Sequence, residues 1–235
     1  MPVDRGKYNH AFHEIQEFGL RTEVGMDRRV GMEKEAAEKM IRVSQSLSEM
    51  LELAFRAFRK PTDETISEAE EAKREVQKSS AELTHFLIGK SASPEEGKER
   101  VKPFLSVASS FDRMLYNIEG LLNQLRIMTR ENINFSDRAV KETNDVFQEA
   151  MSLLANLPNL IETESKTEAQ QMGEKIRPIF KIANGYSESH EERLMHGICL
   201  PKSSPIYLGV LESLKGILVH ILEISGKLVS LSSRN

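Results

Sequence analysis

The chain carries the same apolar pattern twice. Displaced against itself by 103 residues, it sets Ala36 on Ala139, Val43 on Val146 and Leu51 on Leu154, then Ala69 on Met172 and Val76 on Ile179. Further on, Phe104 falls on Tyr207, Leu115 on Leu218, Ile118 on Ile221 and Leu125 on Leu228. Two amphipathic helices match in part through periodicity alone, but three successive pairs at one offset point to a duplicated unit. A three-helix unit must bury one stripe of each helix against the other two. The expected fold is therefore all-α, a tandem repeat of two three-helix bundles over residues 32–131 and 136–231, preceded by an N-terminal segment 1–31.

The punctuation between stripes fits this plan. A first segment from Met32 to Arg59 stops at Lys60-Pro61, and Thr62 or Asp63 can cap a second that reaches Gly89, with a loop from Ser91 to Pro94. The third runs through Val101 and Leu125 to a break near Asn132 to Asn134, with Pro103 near its start, where a missing amide costs little. Ser136 or Asp137 caps the fourth, which Pro158 kinks or shortens. The fifth begins near Ser165 or Thr167, has Pro178 as a local break and ends before Gly197. Ser203-Ser204-Pro205 opens the last. Tyr8, Phe12, Ile15, Phe18 and Leu20 make the N-terminal piece amphipathic but too brief to be stable alone.

Composition removes several classes of function. Hydrophobic residues at 39% and charged residues at 29% are too apolar for a disordered chain and too charged for a membrane bundle. No stretch reaches the roughly 18 apolar residues of a membrane span, and charges interrupt residues 1–25 where a secretory signal needs an apolar centre. The chain is thus not expected to span a membrane. Its 36 acids and 32 bases are mixed along the sequence, with no basic block to bind a nucleic acid backbone. Cys199 is the single cysteine, which rules out an internal disulfide and fits a reducing compartment.

No residue pattern signals catalysis. Ser109-Ser110-Phe111-Asp112 lacks a nucleophile elbow and reads as a polar helix face, and no Gly-rich phosphate loop occurs. His85, His190, His196 and His220 form no short-spaced pair on one stripe, and His190 with Glu191 and Glu192 reads as solvated polar residues near a helix end. Cys199 has no neighbouring cysteine or cationic run and reads as a bystander thiol.

The tail from Arg193 to Leu228, RLMHGICLPKSSPIYLGVLESLKGILVHILEISGKL, resembles the closing stretch of PhoU-like domains. There a helix end and a Gly loop precede a helix of pattern L-E-R-I-G/A-D-H-A-x-N-I. The duplicated three-helix plan agrees with that family over nearly all of the chain after Met32. The resemblance implies a non-enzymatic, cytoplasmic regulator or accessory of phosphate transport. It would act by protein–protein contact on a phosphate transporter or an associated sensor protein, or stand as a detached relative of the cytosolic domain of sodium-phosphate cotransporters, with no cofactor and with a homodimer possible.

Members of the family that carry metal clusters place E-x-x-x-D in the third helix and further acids in the second. This chain departs from that pattern. Asp112 matches the first acid but Tyr116 replaces the second, and Lys215 and Val219 stand at the equivalent places of the second half beside His220. Glu71 and Glu174 are acids in both second helices, whereas Glu75 has only Pro178 as its counterpart, and Arg74 and Arg177 lie alongside. Cationic side chains oppose a cation site, so no multinuclear metal cluster is expected. Glu71, Glu75, Asp112 and Glu174 are left as weak single-ion candidates, and a metal-binding helical bundle is the alternative function. Arg74 and Arg177 are candidate anion contacts; the ordinary alternative is ion pairs with Glu70 or Glu71 and with Glu174.

Overall fold

The structure, a computed structural model, describes residues 31–91 and 95–232. The N-terminal segment expected over 1–31 lies outside them apart from Gly31, as do residues 92–94 of the loop expected after Ser91. Seven helices are present among the described residues: α1 (Gly31–Arg59), α2 (Asp63–Ser91), α3 (Glu95–Arg130), α4 (Asp137–Ala155), α5 (Leu157–Thr163), α6 (Lys166–Met195) and α7 (Ser204–Ser232). No strand occurs among those residues.

Helix starts follow the local chemistry. Thr62 Oγ1 accepts the Thr65 amide before α2, Ser136 Oγ that of Ala139 before α4, and Ser165 Oγ that of Glu168 before α6. Each cap satisfies a donor that the first turn leaves free. The chain leaves α3 through Asn132, in the left-handed region at φ 49°, which lets the Ile133 amide reach back to the Met128 carbonyl. The expected interruption at Pro158 falls just before it: α4 ends at Ala155, and Pro158 sits in the first turn of α5, where no amide is needed.

Two expectations about proline are corrected. Pro178 does not break α6, which runs unbroken through it; the proline is exposed, so the carbonyl it leaves without a donor faces water. Pro103 lies well inside α3, because that helix begins at Glu95, before the expected start.

The first bundle is α1, α2 and α3; the second is α4 with α5, α6 and α7, packed in the same order. α2, α3, α7 and α6 lie side by side in one layer, with α1 and the α4–α5 pair across it and touching each other. Buried residues from all helices form one core. Phe55 and Phe58 of α1 meet Phe147 of α4 at 5.2 and 5.4 Å between ring centres, and Phe135 bridges Phe58 and Tyr207 at 6.3 and 5.8 Å.

α3 and α7 cross antiparallel at the middle of the layer. On one side of the crossing Ser110 donates to Glu223 at 3.0 Å and Lys227 to the Ser106 carbonyl at 3.1 Å. On the other side the equivalent places are filled by close approach: a Cβ on Gly209 would strike the Gln124 side chain, and one on Gly120 would lie 3.3 Å from Ser213 Oγ. Bulk is thus excluded where polar pairs stand opposite.

α7 also corrects the expectation that no stretch could cross a membrane. By length and composition Ser204–Leu231 is apolar enough to do so, and half of its most apolar window is buried inside the protein. It packs on α3, α4, α5 and α6, and that central position accounts for its composition.

Candidate functional site

The most unusual chemistry lies at one end of the second bundle, where α4, α6 and α7 converge. On α4 the core stripe Ala139, Thr143 and Val146 also includes Glu142, and a carboxylate on a buried stripe must find cations or be protonated. Glu142 is 5% exposed. Its carboxylate takes both arms of the Arg193 guanidinium, at 3.2 and 2.9 Å, together with Arg138 Nε at 2.8 Å and the Tyr207 hydroxyl at 2.6 Å. Arg193 itself is 8% exposed, near the end of α6. The fork-on-carboxylate geometry fixes angle as well as distance.

The titration behaviour follows. Burial alone would push the Glu142 carboxyl up, but the bonds from Tyr207, Arg138 and Arg193 outweigh it and hold it below the ordinary carboxylate value. Burial raises the Tyr207 phenol, and its bond to the Glu142 anion raises it further. Beside them His190 stacks on Tyr207 at 4.5 Å between ring centres and shares a 2.5 Å hydrogen bond between Nε2 and Ser204 Oγ. Burial and the nearby Arg193 charge push its imidazole below the ordinary histidine value, with Glu142 and Glu191 opposing. Its Nδ1, like Thr143 Oγ1, has no hydrogen-bond partner among the described residues.

These buried groups give a substrate no direct contact; they fix α4 to α6 and α7. What they hold in place is the α6–α7 connection. There the Ile198 amide reaches the Arg193 carbonyl at 2.9 Å and the Gly197 amide that of Leu194 at 3.0 Å, with Gly197 at φ 67° supplying the left-handed turn. Met195, Ile198 and Leu200 project from this fixed turn at 78%, 72% and 69% exposure.

A second polar group sits on the α3–α7 seam. Glu223 receives Ser110 and lies 3.1 Å from His220 Nδ1, while Lys227 donates to Ser110 Oγ at 3.0 Å. Burial would raise the Glu223 carboxyl, but the His220 and Ser110 bonds hold it below its ordinary value. Ser110 is therefore an interior bonding group and not part of an open polar face.

The residues singled out in the sequence are not brought together. Arg74 and Arg177 are exposed on α2 and α6, at opposite edges of the four-helix layer. The ion pair considered for Arg74 with Glu70 does not form, because Glu70 is taken by Arg126. Among the described residues neither arginine's side chain makes a hydrogen bond or an ion pair. Glu75 lies 4.0 Å from Lys78, Asp112 accepts Ser80 Oγ at 2.5 Å, and Glu71 and Glu174 are exposed in different bundles. No three His, Cys, Asp or Glu side chains among the described residues are placed to hold a metal ion.

His190 is a correction: expected in solvent, it is buried because it continues the inward stripe of Ile176, Ile179 and Ala183 to the last turns of α6. Glu142, Arg138 and Arg193 escaped the sequence reading altogether. The usable signal was an acid spaced three residues after Ala139 and four before Val146, on the buried side of a helix.

Tandem three-helix bundles crossing on their third helices define the class of protein. No established family profile matches the chain, and no curated protein matches it in sequence. Among solved structures, the crystal structure of the phosphate transport system regulatory protein PhoU from Streptococcus pneumoniae aligns at a TM-score of 0.74 and 17% identity. The alignment covers 86% of this chain and 96% of that one, so the fold is PhoU-like.

Proposed function

We propose that this protein is a non-enzymatic regulatory or accessory protein of phosphate transport. It acts in the cytoplasm by binding a phosphate transporter or its associated sensor protein. The observation that carries the reading is the fold, since the alignment spans 96% of a phosphate transport system regulatory protein. Fold alone does not fix function, so the reading is tested on partners. The full chain, used as bait in cells starved of or supplied with phosphate, is expected to recover a phosphate transporter or sensor kinase. Recovery of neither in both conditions, with phosphate uptake unchanged in cells lacking the protein, would overturn it.

In this reading residues 32–131 and 136–231 are two domains of one duplicated origin, following the segment 1–31. Arg74 and Arg177 belong to the proposal as separate surface contacts for an anion. Glu71, Glu75, Asp112 and Glu174 hold no more than a single weak ion, so chelator-dialysed protein should carry no stoichiometric multinuclear cluster of iron or zinc.

A further inference from the structure

We propose that the N-terminal segment of this chain docks on its own four-helix layer, with Tyr8, Phe12, Ile15 and Phe18 over Tyr116 of α3 and Val219 and Leu222 of α7. These last three are apolar side chains left in solvent, at 75%, 36% and 37% exposure. Their neighbours show which way they face. α3 and α7 each have a helix on either side in the layer and α1 or the α4–α5 pair across it, so only the outer face leaves them open. Along the crossing, Ser110 bonds Glu223 and a Cβ on Gly216 would strike Asn117, which sets Tyr116 beside the stripe of Val219 and Leu222. The three side chains form one patch.

The segment matches this patch in pattern, reach and charge. Its apolar residues recur at steps of four, three and three, which is one stripe of a helix. α1 begins at Gly31, and Glu33 ties that end to Arg100 near the start of α3 at 2.9 Å. Leu222, next to the Glu223 that Ser110 bonds, lies about 16 Å along the layer from there. Residues 21–30 can extend over about 30 Å, enough to round the end of the bundle and set Phe18 near Leu222. Charge agrees as well. Glu14 borders the stripe of the segment, and the exposed Arg177 borders the patch, between Gly173 against Leu222 and Asn184 bonded to Lys215. The anion assigned to Arg177 is then a carboxylate of the same chain. Tethering holds the segment at an effective concentration of about a millimolar, so a small patch suffices.

The test is amide hydrogen exchange of the full chain. Amides of residues 8–20 are expected to exchange at least about tenfold more slowly than in the urea-unfolded chain, and equally so at every protein concentration. Tyr116→Ser with Leu222→Gln should return them to the unfolded rate while the slow amides of the α3–α7 core stay slow. Arg177→Glu should speed the same amides about threefold, and adding Glu14→Arg should slow them again. Exchange of residues 8–20 at the unfolded rate in the native chain overturns the proposal, as does protection indifferent to the Tyr116 and Leu222 changes. So does protection that appears only as the concentration rises, which would put a second copy on the patch.

Discussion

The two halves meet the same packing problem with opposite chemistry. Where the second bundle places Glu142, His190, Arg193, Ser204 and Tyr207, the positions 103 residues earlier are Lys39, Leu87, Lys90, Val101 and Phe104. There Leu87, Val101 and Phe104 are core, and the two lysines lie over the Phe86 ring at 5.5 and 5.3 Å, partly or fully in water. Even the helical ion pair is reversed: Glu35 with Lys39 at 3.9 Å in one half, Arg138 with Glu142 at 2.8 Å in the other. The α2–α3 seam then inverts the contrast. It carries Lys73 with Glu119 and Glu70 with Arg126, whereas the equivalent α6–α7 positions are Ile176, Leu222, Gly173 and Val229.

The magnitudes separate these charges. Half-exposed pairs such as those on the α2–α3 seam are worth about 1 kcal/mol or less each. A buried pair gives little net stability over an apolar replacement, yet breaking it is costly. The first half shows that the same spot folds without a buried ion pair, on Leu87, Val101 and Phe104 with two outward lysines. The ionic version is therefore not required by the fold, and what it adds is a defined angle between α4, α6 and α7 beneath the protruding turn.

The largest expected effect tests that asymmetry. Arg193→Met takes from Glu142 its buried cation, leaving the half-exposed Arg138 and the Tyr207 hydroxyl, and should cost about 3 kcal/mol in urea unfolding, while Lys90→Met at the equivalent exposed position should stay within about 0.5 kcal/mol. Equal losses would erase the distinction. Next, Ile118→Ala and Ile221→Ala should each cost about 2–5 kcal/mol and resemble one another, because both side chains are fully buried at equivalent places flanking the crossing. Near-neutral unfolding midpoints for either would show that the halves do not share that core. Smaller again, Tyr207→Phe, which copies Phe104, should cost about 1–3 kcal/mol by removing a donor from the Glu142 carboxylate.

The fold was legible because it rests on repetition and caps. Three stripes at one offset, with Thr62, Ser136 and Ser165 ahead of their helices, leave few other ways to bury the apolar faces. The ionic cluster was hidden because its members are distant in sequence, and each has an ordinary reading alone. Glu142 looks like one more helix acid, Tyr207 like the partner of Phe104, and His190 like a residue near a frayed end. Only the crossing of α4, α6 and α7 makes them one unit. The carboxylates and arginines chosen by family pattern were legible as residues, but several face solvent, where pairing is settled by reach and not by periodicity.

The smallest effect is the pH dependence that His190 gives the second half. The His190 imidazole is held below its ordinary value near 6.5, first by burial and then by Arg193 on its own helix, against the opposing Glu142 of α4 and Glu191 of α6. Ser204 and Tyr207 face it from α7. Below that value the unfolded chain binds a proton that the native site resists, so stability must fall as the pH drops from about 6.5. One proton limits the slope to about 1.4 kcal/mol per pH unit. Glu142 acts in a lower window: its depressed carboxyl contributes stability above the ordinary value of 4.5 and loses it as the pH falls through the native value. Between the two windows His190 is the reporter from this cluster. His190→Leu, which copies Leu87, should therefore flatten the change in urea midpoint between about pH 7 and about pH 5, and Leu87→His should steepen it. An unchanged profile in His190→Leu would mean that the proton is taken up elsewhere, and that this end of the second bundle differs from the first in packing alone.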